Sequence, residues 1–172
     1  MIDWNKCIRD IQDYPKPGIL FKDITPLLKD PQAMREVVEQ LAKPFINANI
    51  TAVAGLEARG FIFGPLVAQA LNCAFVPVRK PGKLPFDTIS KSYDLEYGQA
   101  TIELHTDAVS KDDKVLVVDD LLATGGTLKA ACELIEKLGA SITACACVVE
   151  LGFLNGRQAL TGYDVHCLHE FK

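Results

Sequence analysis

Four consecutive β-branched or leucine residues, Val115-Leu116-Val117-Val118, run into Asp119-Asp120 and then, past Leu121-Leu122, into Ala123-Thr124-Gly125-Gly126-Thr127. Such a run suits a strand covered on both faces. Its polar residues begin where the strand should end, which is where open α/β sheets bind their ligands. Small residues from Ala123 to Thr127 let backbone N–H groups converge on a phosphate, and Thr127 opens the apolar-periodic stretch Leu128, Ala131, Leu134, Ile135, Leu138. An anion held there also meets a helix N-terminus. The two acids cannot favourably face the same dianion, but carboxylates accept hydrogen bonds from vicinal hydroxyls such as those of ribose. An acid pair after a strand also serves as a helix cap with a solvated neighbour, and Gly-Gly as a tight turn. Taken in this order, the residues read as a phosphosugar site. Neither a G-x-x-x-x-G-K-S/T loop nor a G-x-G-x-x-G fingerprint occurs, so nucleotide hydrolysis and nicotinamide chemistry lose their usual support.

Strands are predicted at 51–55, 74–79, 99–105, 114–119, 141–149 and 164–169, alternating with helices. Asp30-Pro31 marks a helix start before Met34, Val37, Val38 and Leu41, and a second helical pattern follows Gly60. This alternation implies a doubly wound, mainly parallel sheet, with residues 80–104 as an excursion that returns as a strand. With 172 residues, 49% hydrophobic and 23% charged, the chain suits one compact α/β domain. A net charge of −4 argues against nucleic-acid or membrane partners, so any anion site has to be built locally. No leader pattern or membrane-length apolar stretch is visible, and a cytoplasmic protein is expected. The six cysteines, at 7, 73, 132, 145, 147 and 167, read as reduced apolar filler, with Cys145 and Cys147 on one face of a strand. Neither they nor His105, His166 and His169 have metal-site spacing.

Three further segments carry charge to loops. Gly55-Leu56-Glu57-Ala58-Arg59-Gly60 puts an acid and an arginine in a strand-to-helix turn, and Arg59 offers a fork for a pyrophosphate. It should share the rim of the sheet with the Asp119-Asp120 turn. Arg79-Lys80-Pro81-Gly82-Lys83-Leu84-Pro85 places three cations in a loop of an acidic protein, where they can collect a polyanion. Ser92-Tyr93-Asp94-Leu95-Glu96-Tyr97-Gly98 returns a carboxylate along the same excursion, which makes Glu96 an acid/base candidate through context alone.

The V-V-D-D-L-L-A-T-G-G-T run resembles the signature of the type I phosphoribosyltransferases, which use 5-phosphoribosyl-1-pyrophosphate (PRPP). P-K-P-G-I-L-F-K-D-I-T-P-L-L, G-L-E-A-R-G-F-I-F-G-P, R-K-P-G-K-L-P and S-Y-x-L-E-Y-G, in that order, narrow the resemblance to the family's adenine branch. The resemblance implies that Asp119 and Asp120 hold the ribose hydroxyls, while Ala123, Thr124, Gly125, Gly126 and Thr127 hold the 5-phosphate. Arg59, Arg79, Lys80 and Lys83 would surround the pyrophosphate, with Mg²⁺ held mainly by the substrate's own oxygens. Leu20, Phe21 and Lys22 would form a hood over adenine, Phe21 stacking on the ring, and Leu151 would lie on its opposite face. Glu96 would handle a proton of the adenine ring. The implied reaction is adenine plus PRPP giving AMP and pyrophosphate, by a homodimer with a hood over about residues 1–30 and a flexible catalytic loop over about 80–98. Phe86-Asp87-Thr88 stands where some relatives have Gly-Pro-Thr. A transferase for another nucleobase and a PRPP-sensing regulator are the competing readings; the regulator would need a DNA-reading module or a broad basic face.

Overall fold

The computed structural model describes residues 4–94 and 98–172. In chain order the elements are β1 (Arg9–Gln12), β2 (Leu20–Asp23), α1 (Thr25–Lys29), α2 (Pro31–Ala42), β3 (Ala52–Leu56), α3 (Gly60–Leu71) and β4 (Ala74–Val78). They continue with β5 (Thr88–Asp94), β6 (Gln99–His105), β7 (Lys114–Leu122), α4 (Gly126–Lys137), β8 (Ser141–Leu151), α5 (Gly156–Ala159) and β9 (Val165–Phe171). Five strands form a parallel sheet in the order β4-β3-β7-β8-β9. From β3 the chain steps outward to β4, and from β7 it steps the other way through β8 to β9. The order therefore reverses between β3 and β7, and the loops leaving those two strands flank the crevice where such sheets bind ligands.

Alternation along β7 explains its place at the centre. Val115 and Val117 pack into one apolar cluster with α4, while Leu116 and Val118 pack into the other with α2 and α3. All four are fully buried, as the unbroken apolar run required. Cys145 and Cys147 share the α4 face, as expected, and Cys132 Sγ on α4 lies 3.5 Å from Cys145 Sγ. All six cysteines are free thiols, and the neighbouring sulfur, Cys145 for Cys132 and Cys167 for Cys147, together with burial pushes those of Cys132 and Cys147 up. Asp30 caps α2 as its sequence indicated, accepting from the N–H groups of Gln32 and Ala33 at 2.9 and 3.1 Å.

Three strands fall where no strand was expected. β1 and β2 pair antiparallel within the Pro-punctuated N-terminal segment. β5 pairs antiparallel with β6 along seven residues, so much of the 80–104 excursion is a hairpin. Its sequence, TISKSYD, is polar. Order comes instead from β6 and from Ile89 and Tyr93, which pack against the α4 cluster. β7 and β8 also extend to Leu122 and Leu151, beyond their expected ends.

Gly55, Gly64 and Phe75 hold α3 close to β3. A Cβ added at Gly64 would lie 2.7 Å from Phe75 Cε2 and 3.3 Å from Gly55 Cα. Gly64→Ala is expected to lower stability by about 1–3 kcal/mol. Phe75→Leu in the same background should recover part of the loss. Denaturant unfolding measures both, and an additive loss in the double variant would refute the steric explanation.

Candidate active site

The last polar residues of β7 lie at the reversal point of the sheet. Asp120 is 3% exposed, and its carboxylate meets Arg59 Nε at 3.0 Å. Asp119 accepts from the backbone N–H of Asp120 at 2.9 Å. Burial pushes both carboxyls above the ordinary aspartate range. The adjacent Asp120 charge raises Asp119 further, whereas Arg59 pulls Asp120 back down. Arg59 reaches the pair because its turn passes directly over the end of β7. A Cβ at Gly60 would come within 2.8 Å of the Val118 carbonyl oxygen and 3.1 Å of Asp119 Oδ1, so only glycine allows that approach.

Beyond Leu122 the chain turns through Gly125, whose φ of +82° favours glycine, into α4. A recess of about 60 Å³ is lined by Asp119, Ala123, Thr124, Gly125 and Thr127, so it joins one carboxylate to the phosphate-type turn. The turn is held from two sides. Thr127 Oγ1 donates to Tyr93 Oη at 3.0 Å, and a Cβ on Gly126 would sit 3.3 Å from the Tyr93 ring. On the other side, Gly156 backs onto the backbone of Ala123 and Gly125 so closely that a Cβ at Gly156 would strike the Ala123 carbonyl. Next to it, Arg157 donates twice to Glu150 through Nε, at 2.8 and 2.9 Å, and once through Nη2 at 2.7 Å. Glu150 is buried at the end of β8. The sequence reading assigned no role to Tyr93, Gly156 or Arg157. Asn155-Gly156 is a visible turn signal, but its contact with residue 123 is long-range.

Arg79 is arranged differently from the expectation that it faces a pyrophosphate. Its Nε and Nη2 each lie 3.1 Å from a Glu57 oxygen, and its Nη1 donates to the Lys83 carbonyl at 3.0 Å. Glu57 also accepts from the Lys80 N–H at 3.0 Å, and the bonds from Arg79, with help from Lys80, hold its carboxyl below the usual range. Arg79 thus ties the turn after β3 to the basic loop, leaving Lys80 and Lys83 as exposed cations on that loop. Lys91, on β5, pairs with Glu133 of α4 at 2.8 Å. Glu96 lies outside the described residues.

Below the β1–β2 hood, a recess of about 550 Å³ is lined by Tyr14, Phe21, Ile24, Leu28, Arg59 and Ile62 among others. Tyr14 packs edge-on against Phe21 at 5.1 Å, and Arg59 Cζ lies 5.6 Å from the Phe21 ring centre. Leu20 is 42% exposed at the hood's rim. Lys22, expected in the hood beside the base, turns away from this recess towards Asp10 and Phe171. In an extended strand successive side chains take opposite faces, so Phe21 and Lys22 cannot both face one ligand. Leu151 is half-buried where β8 pairs with β9 and does not line the recess. Among the described residues, no group of three or more His, Cys, Asp or Glu side chains is arranged to hold a metal ion. No described helix is long and apolar enough to cross a membrane.

The family model for the phosphoribosyl transferase domain matches residues 24–166. The chain belongs to the phosphoribosyltransferase family. A relative in Nitrosococcus oceani, an adenine phosphoribosyltransferase, is 62% identical over 94% of each chain. The crystal structure of the adenine phosphoribosyltransferase of Thermoanaerobacter pseudethanolicus superposes with a TM-score of 0.95 at 49% identity over 98% of each chain. The Saccharomyces cerevisiae enzyme, solved with adenine and an imino-altritol bisphosphate, superposes at 0.91 with 37% identity over 96% of each chain. The reversal point of this family's sheet is thus where Asp119, Asp120 and Arg59 meet.

Two variants test how the site is built. Because burial lifts the folded-state value of Asp119 above its unfolded one, its contribution to stability is present at low pH and is lost as pH rises through the raised value. Asp119→Asn removes that loss and keeps the acceptor for the Asp120 N–H. Its melting temperature should exceed wild type by roughly 2–4 °C at about pH 8 and by nothing near about pH 4. A variant less stable than wild type at the higher pH would contradict the assignment. Gly156→Ala should push the 123–127 turn and raise KM for a phosphate-bearing substrate about tenfold or more, with a smaller effect on KM for the co-substrate. Steady-state kinetics on the folded variant measures the split.

Proposed function

We propose that the chain is a purine-salvage enzyme that transfers the 5-phosphoribosyl group of PRPP to N9 of adenine, giving AMP and pyrophosphate. One observation supports this most strongly: the guanidinium of Arg59 contacts both the Asp120 carboxylate and the Phe21 ring. A flat, stackable ligand under the hood would therefore lie beside a polyol held by the acid pair. The names of the relatives supply the base.

On this reading Asp119 and Asp120 accept hydrogen bonds from the ribose hydroxyls, and the Ala123–Thr127 turn with the α4 N-terminus takes the 5-phosphate. As the pyrophosphate departs, negative charge grows on it and positive character on the sugar. Arg59, Arg79, Lys80 and Lys83 stabilise the leaving group, and the Glu57–Arg79 pair gives the loop its starting place. The hood holds adenine on the opposite face of the sugar, so attack proceeds with inversion and needs no covalent enzyme nucleophile. The carboxylates present suit Mg²⁺: two hard oxygen donors without a complete protein cage match an ion that keeps most of its ligands from substrate and water. When bound, Mg²⁺ supplies charge neutralisation to the pyrophosphate.

The chain acts as one catalytic domain, with a hood over about 1–30 and a loop over about 80–98 that closes on bound PRPP. Its β5–β6 hairpin docks on α4, which leaves the basic segment before β5 as a closing part. Glu96 is assigned the adenine ring proton. The enzyme works as a homodimer in the cytoplasm, a compartment that suits its free cysteines.

Assays of pyrophosphate release with PRPP and Mg²⁺ across nucleobases test the assignment. Adenine should be the preferred substrate; equal or greater turnover of hypoxanthine or guanine would sink it. Glu96→Gln keeps the shape and loses the base, so kcat should fall roughly 10²-fold or more with little change in KM for PRPP.

A further inference from the structure

Lys22 immediately follows Phe21 in the hood, yet it is built into the far side. Its Nζ lies 2.6 Å from Asp10 Oδ1 on β1 and 3.9 Å from the centre of the Phe171 ring on β9. Only 9% of its side chain is exposed. Phe171 is itself set in an aromatic row: His169 meets it edge-on at 4.6 Å, and Trp4, buried and bonded through Nε1 to Gln40 of α2, meets His169 at 6.3 Å. The hood is a two-stranded ribbon of four-residue strands, too small to hold its own orientation. At its end towards α1, Asp23 is fixed by Arg9 at 2.6 Å and by the Thr25 N–H at 2.9 Å. Lys22 joins the ribbon to the edge strand of the main sheet. A partly desolvated ammonium over an aromatic face, with a carboxylate behind it, is a strong form of that contact.

We infer that Lys22, acting through Phe171, is a positioning residue that sets the tilt of the hood and hence the place of the Phe21 ring over the base. It grips the opposite side of the strand and does not touch the base. Since Phe21 and Lys22 are adjacent in one extended strand, a shift of Lys22 relative to β9 is carried directly to the Phe21 ring. The inference rests on the reading of Phe21 as the base-stacking residue, and it assigns Phe171, outside the hood, to the same task.

The test uses the purified full chain. In Lys22→Met, KM for adenine should rise about five- to tenfold, with KM for PRPP unchanged, and Lys22→Arg should restore it because guanidinium also packs on aromatic faces. Phe171→Leu should reproduce the Lys22→Met effect, and the double variant should be no worse than either single one. Emission from Trp4, the one tryptophan of the chain, should be unchanged in Lys22→Met, showing the aromatic row intact. Hydrogen exchange over residues 9–23 of the free protein should quicken in Lys22→Met while β7 stays protected, whichever base the enzyme uses. Slow exchange like wild type in that region would overturn the latch. So would a wild-type adenine KM in Phe171→Leu, or equal rises in both KM values. Failure of adenine turnover in wild type would instead remove the base assignment and leave the exchange result standing.

Discussion

Two adjacent carboxylates at the buried end of a central parallel strand are costly, and the structure around them is arranged accordingly. Burial raises both above the usual range, and the Asp120 charge raises Asp119 further. One guanidinium, that of Arg59, partly offsets the charge. It reaches the pair only because Gly60 lets its turn lie against the backbone of β7. The position is poor for stability and good for binding, because charged carboxylates at the rim of the crevice accept hydrogen bonds readily. Such a site gains most from a ligand rich in hydroxyl donors.

The remaining features register three segments on that point. The phosphate turn is braced by Tyr93 from the hairpin and by Gly156 from the segment after β8. The basic loop is anchored by Arg79 on Glu57, so its two exposed lysines start from a defined place. The hood is fixed by Asp23 at one end and by Lys22 on Phe171. Most of these braces join elements distant in sequence.

Much of this was legible in the sequence, for identifiable reasons. The strand of β7, the acid pair and the turn are local, and their periodicity and order say what they are. The alternation of Cys145 and Cys147 and the Asp30 cap are local as well. The pairing of Arg79 was not legible because sequence displays charges and not their partners, and Glu57 lies 22 residues earlier. The direction of the Lys22 side chain was not legible because a four-residue strand among prolines gives too little pattern to reveal which side chains face inward. β5 escaped notice because its order comes from β6 and α4. Tyr93 and Gly156 were missed because their partners, Thr127 and Ala123, are placed only by the fold.

On the proposed reading, the sugar hydroxyls of PRPP stabilise the charged forms of half-buried Asp119 and buried Asp120. Carbon-13 NMR of labelled aspartate carboxyls, titrated with and without PRPP and Mg²⁺, addresses it directly, with Asp119→Asn and Asp120→Asn providing the assignments. In the free protein both carboxyls should titrate above the ordinary range near about 3.9, and binding should move both downward as hydroxyl donors stabilise the charged form. Ordinary titration of both residues in the free protein, or values untouched by saturating PRPP, would contradict it.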